Sequence, residues 1–275
     1  MKLAKRGVLT TLSLLETLIL AIVQGVTEWL PISSSGHLVV VQQYLLPEPP
    51  PLLFDVALHI GTLCVVLAVF WRELVSILKA LVRFDFKSEE GKLGVFIAVG
   101  SIPTAFIGYF FHDILESFFY NVLVVGIALM VNGVFLFFSE RRGDGRRVDY
   151  LDSLLIGVAQ GTAIIPGISR SGLTIAAALL RKVEKRAAFA YSFLLSVPAV
   201  IGATILESAR VWASNELVIG SVDIATMVFG VVVSMIIGYI SLKLLQKLVM
   251  QKKFHLFAYY CWIVGIAIVL YHFLL

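Results

Sequence analysis

The sequence predicts an all-α polytopic membrane protein built from two inverted-topology repeats. Each repeat is a re-entrant helical hairpin followed by three transmembrane helices. Three observations predict this. The 275-residue chain is 59% hydrophobic with a mean hydropathy of +0.95, above the roughly 45–50% apolar content of soluble domains. Gln24-Gly25, Ile32-Ser33 and Ser35-Gly36 recur as Gln160-Gly161, Ile168-Ser169 and Ser171-Gly172. That is six matches in thirteen positions at an offset of 136, where chance gives about one. Finally, connections rich in Lys and Arg alternate with connections almost free of them.

Taken in order, Met1 to Arg6 and the apolar run behind them superficially resemble a signal peptide. Glu16 interrupts that run and no clean cleavage site closes it, so the segment is expected to be retained. A first hairpin is expected around Thr10 to Leu45. Pro47, Pro49, Pro50 and Pro51 then predict a stiff loop. Six apolar segments follow, three behind each copy of the repeat: Phe54–Trp71, Leu93–Phe111, Val122–Phe138, Ala187–Leu206, Ile224–Leu242 and Phe254–Leu274. Each approaches the roughly 17–25 residues of a spanning helix. Ser139–Asp149 is a polar connector between the halves. A single membrane domain is expected over 1–275, with repeat 1 near 8–139 and repeat 2 near 150–275.

Basic residues crowd Arg72–Lys92, Arg141–Arg147, Arg181–Arg186 and Lys243–Lys253. They assign these loops to the cytoplasm. Leu151 to Leu180 lies between two basic loops, so it should enter and leave by the same face. Pro166-Gly167 favours a re-entrant hairpin there. An odd number of spans separates the repeats, so the first hairpin should enter from outside and the two tips meet near the midplane. Lys2, Lys5 and Arg6 argue mildly the other way. The net charge of +4 is confined to these loops, and no basic patch with interleaved aromatics points to nucleic acid. Cys64 and Cys261 lie in apolar runs without metal-ligand spacing and read as core thiols.

Polar, helix-breaking residues are costly in a bilayer unless they line a protected cavity. The first tip places Gln24 and Glu28 on one helix face. Pro31 ends that helix, and Ser33, Ser34 and Ser35 open a second one with His37 in its first turn. A helix start of this kind presents free N–H groups to a phosphate. In the second tip Gly167 permits an unusual turn, Ser169 is a plausible N-cap, and Thr174 shares a face with Arg170. Arg170 stands apart from the other basic residues and needs an anion, which phosphate supplies bidentately. The copies differ where chemistry would need it: Glu28 aligns with Ile164, Ser34 with Arg170 and His37 with Leu173. One half offers an acid and a base, the other a fixed cation, as in one composite site for an anionic substrate.

Plainer readings stand beside these. Ser35 and Gly172 suit close helix packing. Glu28 could be a structural ion-pair partner of Arg170, and His37 could simply bond a carbonyl. Asp55 and His59 form either a supporting pair or a helix-end pair, and Glu16 reads as a structural hydrogen-bonder. Trp29, Trp71, Tyr109 and Tyr260 read as interfacial anchors.

The two tips resemble the undecaprenyl-diphosphate phosphatase family linked to bacitracin resistance. Gln24, Glu28 and Pro31 to His37 match its first motif, a Gln or acidic residue shortly before a Glu and then P-x-S-S-[ST]-G-H. Pro166 to Thr174 match P-G-x-S-R-S-x-x-T in full. The resemblance implies hydrolysis of a polyprenyl diphosphate to its monophosphate, recycling the lipid carrier of cell-wall glycan synthesis. It also implies a divalent cation (Mg²⁺ or Ca²⁺), a site open to the external face of the plasma membrane, and a homodimer. By the same resemblance Glu28, Ser34, His37 and Arg170 are catalytic. Ser33, Ser35, Ser169, Ser171 and Thr174 contact phosphate, and Glu28 with Gln24 binds the metal. Gln24 departs from a position where many members carry Glu. The attacker is either Ser34 assisted by His37 or an activated water. The competing class is a polyprenyl-phosphate transporter or flippase, since inverted repeats with broken helices also build carriers.

Overall fold

The computed structural model describes residues 12–46, 50, 52–139, 145–213 and 223–274. The expectations for Lys2, Lys5 and Arg6, for Pro47, Pro49 and Pro51, and for Arg141 and Arg142 fall outside them. Among the described residues the chain is helical throughout, with no strands. Five of the described helices are long and apolar enough to cross a membrane, or six if one sharply bent pair counts as a span. This is a polytopic membrane protein.

One helical hairpin precedes the long helices of each half. The first is α1 (Leu14–Trp29) with α2 (Ser34–Leu45). Ser13 starts α1 through a capping box, accepting from the Glu16 N–H while the Glu16 carboxylate accepts from the Ser13 N–H. Glu16 is therefore the structural hydrogen-bonder its position suggested. Pro31 has no N–H to continue the helical ladder and its ring clashes with the preceding turn, so the chain leaves α1 at Leu30 in extended conformation and re-enters helix at Ser34. The second hairpin is α8 (Tyr150–Thr162) with α9 (Arg170–Leu180). None of these four helices is among those long enough to span.

The remaining helices are α3 (Leu52–Val69), α4 (Trp71–Val82), α5 (Glu89–Phe110), the short α6 (His112–Ser117), α7 (Val122–Ser139), α10 (Lys185–Ala213), α11 (Ile224–Met250) and α12 (Leu256–Leu274). The expected span Phe54–Trp71 ends two residues early. The chain turns by 77° at Phe70, and Trp71 begins α4 inside what the sequence presented as a basic loop. α4 carries Arg72, Glu73 and Lys79 among apolar residues, so loop charge alone hid a helix. Leu78 and Val82 on α4 are exposed, as is Trp71.

Helix pairing follows the small residues. α1 packs along α11, α8 along α5, α7 along α12, and α3 against α10 and α11. At the α7–α12 crossing a Cβ added to Gly126 would lie 3.1 Å from the Gly265 carbonyl oxygen, and one added to Gly265 would lie 2.7 Å from that of Gly126. Backbones that approach so closely exclude side chains, which is how helices associate where apolar surroundings give no hydrophobic drive. The outer faces keep large apolar residues exposed, Phe106, Ile236 and Ile263 among them, as a lipid-facing surface requires.

Under the hairpin tips lies an aromatic cluster. Trp29, Phe70, Phe189 and Phe193 are buried, with Trp29 5.4 Å and Phe70 5.9 Å from the Phe193 ring. Trp29 is thus a core residue, not an interfacial anchor: it ends α1 at the tip, in the protein interior.

The open end of the second hairpin is clasped by charge. Arg146 grips Asp152 with two hydrogen bonds of 2.6 and 2.7 Å, and Arg181, just after α9, reaches the same carboxylate at 2.9 Å. Asp149 caps α8 and also pairs with Arg146. The first helix of the hairpin is thereby tied to the exit of the second. These bonds raise the Arg146 pKa, the Asp152 hydrogen bond most of all.

Candidate active site

The two tips touch. Ser33 has φ of +71°, in the left-handed region. Its Oγ accepts from the Gly36 N–H at 3.3 Å, capping α2, and from the Gly167 N–H of the other tip at 3.0 Å. Gly36 sits against Gly167, where an added Cβ would lie 3.0 Å from the Gly167 Cα. Gly167 itself has φ of +100°, and a Cβ there would come within 2.5 Å of the Val125 carbonyl oxygen. Both glycines are needed, one for approach and one for conformation as well.

From the second tip, Ser169 caps α9 by accepting from the Gly172 N–H at 3.1 Å, and its hydroxyl donates to the Leu30 carbonyl at 3.4 Å. The Ser171 hydroxyl donates to the Trp29 carbonyl at 2.9 Å. Asn132 of α7 bridges both tips: its Nδ2 donates to the Pro31 carbonyl at 2.9 Å and its Oδ1 accepts from the Ser169 N–H at 3.2 Å. Carbonyls freed where Pro31 breaks the helix are thus satisfied, those of Trp29 and Leu30 by the second tip and that of Pro31 by Asn132, as buried backbone demands. The hydroxyl of Thr174 donates to the Arg170 carbonyl at 2.7 Å and pairs with Ser192. Ser33, Ser169, Ser171 and Thr174 are all buried and spend their hydroxyls on this frame.

Held in that frame, Glu28 and Arg170 form an ion pair across the tips. The Glu28 side chain is 3% exposed and that of Arg170 23%. The other Glu28 oxygen, Oε2, accepts from the Ser34 hydroxyl at 2.6 Å and from Gln24 Nε2 at 3.1 Å. His59 Nε2 stands 3.7 Å from the same oxygen. Its Nδ1 meets the Asp55 carbonyl at 2.8 Å, while the Asp55 carboxylate accepts from Gln42 of α2 at 2.9 and 3.1 Å. Ser34, Ser35 and Arg170 remain partly exposed at the tip.

His37 takes a different direction. Its Nδ1 faces the Ser33 carbonyl at 2.8 Å and its Nε2 faces the hydroxyl of Tyr260 at 2.8 Å. Of the attackers left open, Ser34 assisted by His37 or an activated water, Ser34 hydrogen-bonds Glu28 rather than His37 here. Tyr260 is no simple interfacial anchor, because its hydroxyl ends on a tip residue.

Gln24 is fully buried and its Oε1 has no partner. Its Nε2, not its Oε1, faces the Glu28 carboxylate; a carboxylate and an amide oxygen are donor types that a hard cation takes. In donor type alone, Glu28 and Gln24 fit a divalent cation. Among the described residues the sole tight group of three His or acidic ligands lies elsewhere, at His112, Asp113 and Glu116 on the surface.

Sequence reasoning missed Asn132, Tyr260 and the approach of His59 to Glu28. Asn132 carried a signal, since a lone amide inside an apolar span asks for a partner. Tyr260 carried none, because aromatic residues near helix ends ordinarily mark the interface.

The sequence pattern of the family described as "Bacitracin resistance protein BacA" matches residues 17–267. The chain is 39% identical over 257 residues to the undecaprenyl-diphosphatase of Carboxydothermus hydrogenoformans, covering 92% of this chain and 95% of the relative. It is 40% identical over 263 residues to that of Halothermothrix orenii, covering 94% and 98%. To that of Korarchaeum cryptofilum it is 39% identical over 261 residues, covering 92% and 97%.

Proposed function

The chain belongs to the bacitracin resistance protein BacA family, and we infer from that membership that it is an undecaprenyl-diphosphatase, with its chemistry at the paired tips. It hydrolyses undecaprenyl diphosphate to the monophosphate and orthophosphate. One observation carries the assignment of the site: Glu28, Ser34 and Arg170 come from opposite repeats to a single point.

In this reading the Arg170 guanidinium, already paired with Glu28, turns its remaining N–H groups to the terminal phosphate. The N-terminus of α2 at Ser34 and Ser35 adds positive dipole. Ser33, Ser169, Ser171 and Thr174 hold the two helix starts in register. Ser34 Oγ, hydrogen-bonded to Glu28, attacks the terminal phosphorus and gives its proton to Glu28. The phosphoanhydride bond breaks and the lipid monophosphate leaves. Water then attacks the phosphoserine, His37 Nε2 takes the water proton, and Ser34 recovers its proton from Glu28 as orthophosphate departs. A divalent cation held by Glu28 and Gln24 would offset negative charge on the phosphates.

Reciprocal packing, α1 on α11 and α8 on α5, supports reading the halves as inverted repeats of one domain. An opening toward the external face of the plasma membrane is carried by the family resemblance alone. Homodimer formation is carried by the family resemblance alone and is checked by the mass of the protein in detergent.

The test is orthophosphate release from undecaprenyl diphosphate by detergent-purified protein, wild type against Arg170→Ala, with and without chelator. Release that is lost in the variant, and lost and restored with the cation, supports the assignment. A transporter would release none, since moving lipid needs two compartments and no hydrolysis. Rapid-quench trapping decides the attacker: absence of phosphoserine at Ser34 across the pH range means that water attacks directly.

A further inference from the structure

His37 is hydrogen-bonded at both ring nitrogens, and the two bonds are not equivalent. The Ser33 carbonyl oxygen at Nδ1 has no proton to give, so Nδ1 carries the hydrogen. Neutral imidazole then has its lone pair on Nε2, and the group facing that lone pair is the Tyr260 hydroxyl at 2.8 Å. The rings lie stacked, 5.8 Å apart and inclined by 17°. Any proton that His37 accepts must arrive at the nitrogen Tyr260 touches.

The tyrosine is held in register with the tip. On the next residues of α12, Cys261 Sγ lies 3.6 Å from the Pro31 carbonyl and accepts from Asn132 Nδ2 at 3.4 Å. Trp262 Nε1 donates to the Met130 carbonyl of α7 at 3.1 Å. Gly265 locks against Gly126 one turn further on. The same turn of α12 therefore supports the break at Pro31 and aims a hydroxyl at His37.

We propose that Tyr260 is a positioning residue for His37, extending the role given to His37 above and resting on it. In the resting enzyme its O–H donates to Nε2 and fixes the ring plane. Because the hydroxyl occupies the Nε2 lone pair, the water proton passes to the Tyr260 oxygen as the Tyr260 proton moves to Nε2, and the same oxygen then accepts the new N–H. A hydroxyl can fill both roles in turn, and phenylalanine can fill neither.

The experiment compares Tyr260→Phe, His37→Ala, their double variant and Tyr259→Phe in purified protein. It is joined to ¹⁵N NMR of histidine-labelled enzyme, with the His37 signals assigned by their loss in His37→Ala. Tyr260→Phe is expected to lower kcat about tenfold with KM little changed, the size of one lost hydrogen bond in the transition state. The double variant should be no slower than His37→Ala. The Nε2 resonance of His37 should move toward that of an unbonded lone pair in Tyr260→Phe. Tyr259, whose ring packs on Trp262, is the control and its variant should match wild type. Wild-type kcat in Tyr260→Phe, an equal loss in the His37→Ala background, or an unmoved Nε2 resonance would each overturn the proposal. If His37→Ala itself turns over normally, the role of His37 fails and the positioning role falls with it. A dead His37→Ala beside a fully active Tyr260→Phe removes the positioning role alone.

Discussion

The hydroxyl of Ser33 closes two structures at once: it caps α2 through the Gly36 N–H and binds the Gly167 N–H of the opposite tip at 3.0 Å. The same atom sets the start of one broken helix and the position of the other. Gly167→Ala tests how tightly they are joined. An alanine at φ of +100° is strained, and its Cβ would collide with backbone, the Val125 carbonyl, rather than with a yielding side chain. The conformation alone costs roughly 1–2 kcal/mol. Phosphate release is expected to fall by at least about tenfold, since a shift of one ångström at a site costs about a hundredfold. Thermal unfolding in detergent should show a lower Tm. A variant with normal Tm and turnover would show the tips to be independent.

The clasp at the far end of the second hairpin is separable from chemistry. Asp152 is fully buried and accepts from Arg146 and Arg181, each 37% exposed. Breaking a fully buried pair costs about 3–5 kcal/mol; here the arginines can turn to water, so Asp152→Asn should cost about 2–3 kcal/mol. The expected outcome is a clear drop in Tm with kcat nearly unchanged below the transition. Loss of kcat in still-folded protein would mean that the clasp sets the tip geometry.

Much of the site was legible because membrane sequence penalises polar residues unless something needs them. The repeat, the breaks at Pro31 and Gly167, and the division of Glu28 and Arg170 between the halves all showed before folding, and the structure brings these residues together. Which hydroxyl meets which base did not show. Ser33, Ser34 and Ser35 are adjacent in sequence, yet a helix start sends one to the opposite tip and another to Glu28. Tyr260 lies 223 residues from His37, and the packing of α12 and α2 on α7 brings them together. α4 was hidden because positive charge reads as loop, whereas an interfacial helix carries the same charge on one face.

Ser34 and Glu28 share one short hydrogen bond, so their variants should fail differently. Ser34→Ala removes the oxygen proposed to attack and leaves the Arg170–Glu28 pair intact. It is expected to lose at least about a hundredfold in kcat and to form no phosphoenzyme. KM should stay near the wild-type value, because the clamp is retained. Unchanged turnover in purified Ser34→Ala would assign the attack to water.

Arg170 pairs with Glu28 and, in the proposed mechanism, also binds phosphate, so its replacements should separate stability from catalysis. Arg170→Ala leaves Glu28 buried without its cation, and an uncompensated buried charge is destabilising. Tm should therefore fall together with turnover, the latter by at least about a hundredfold. Arg170→Lys restores the charge but not the fork that can hold a carboxylate and a phosphate together. It should recover most of the Tm and remain roughly tenfold or more below wild-type kcat. In Glu28→Gln with Arg170→Ala neither partner is charged, so Tm should rise above that of Arg170→Ala while activity stays absent. Recovery of activity in that double variant would show that the ion pair is structural and that the substrate phosphate is held elsewhere.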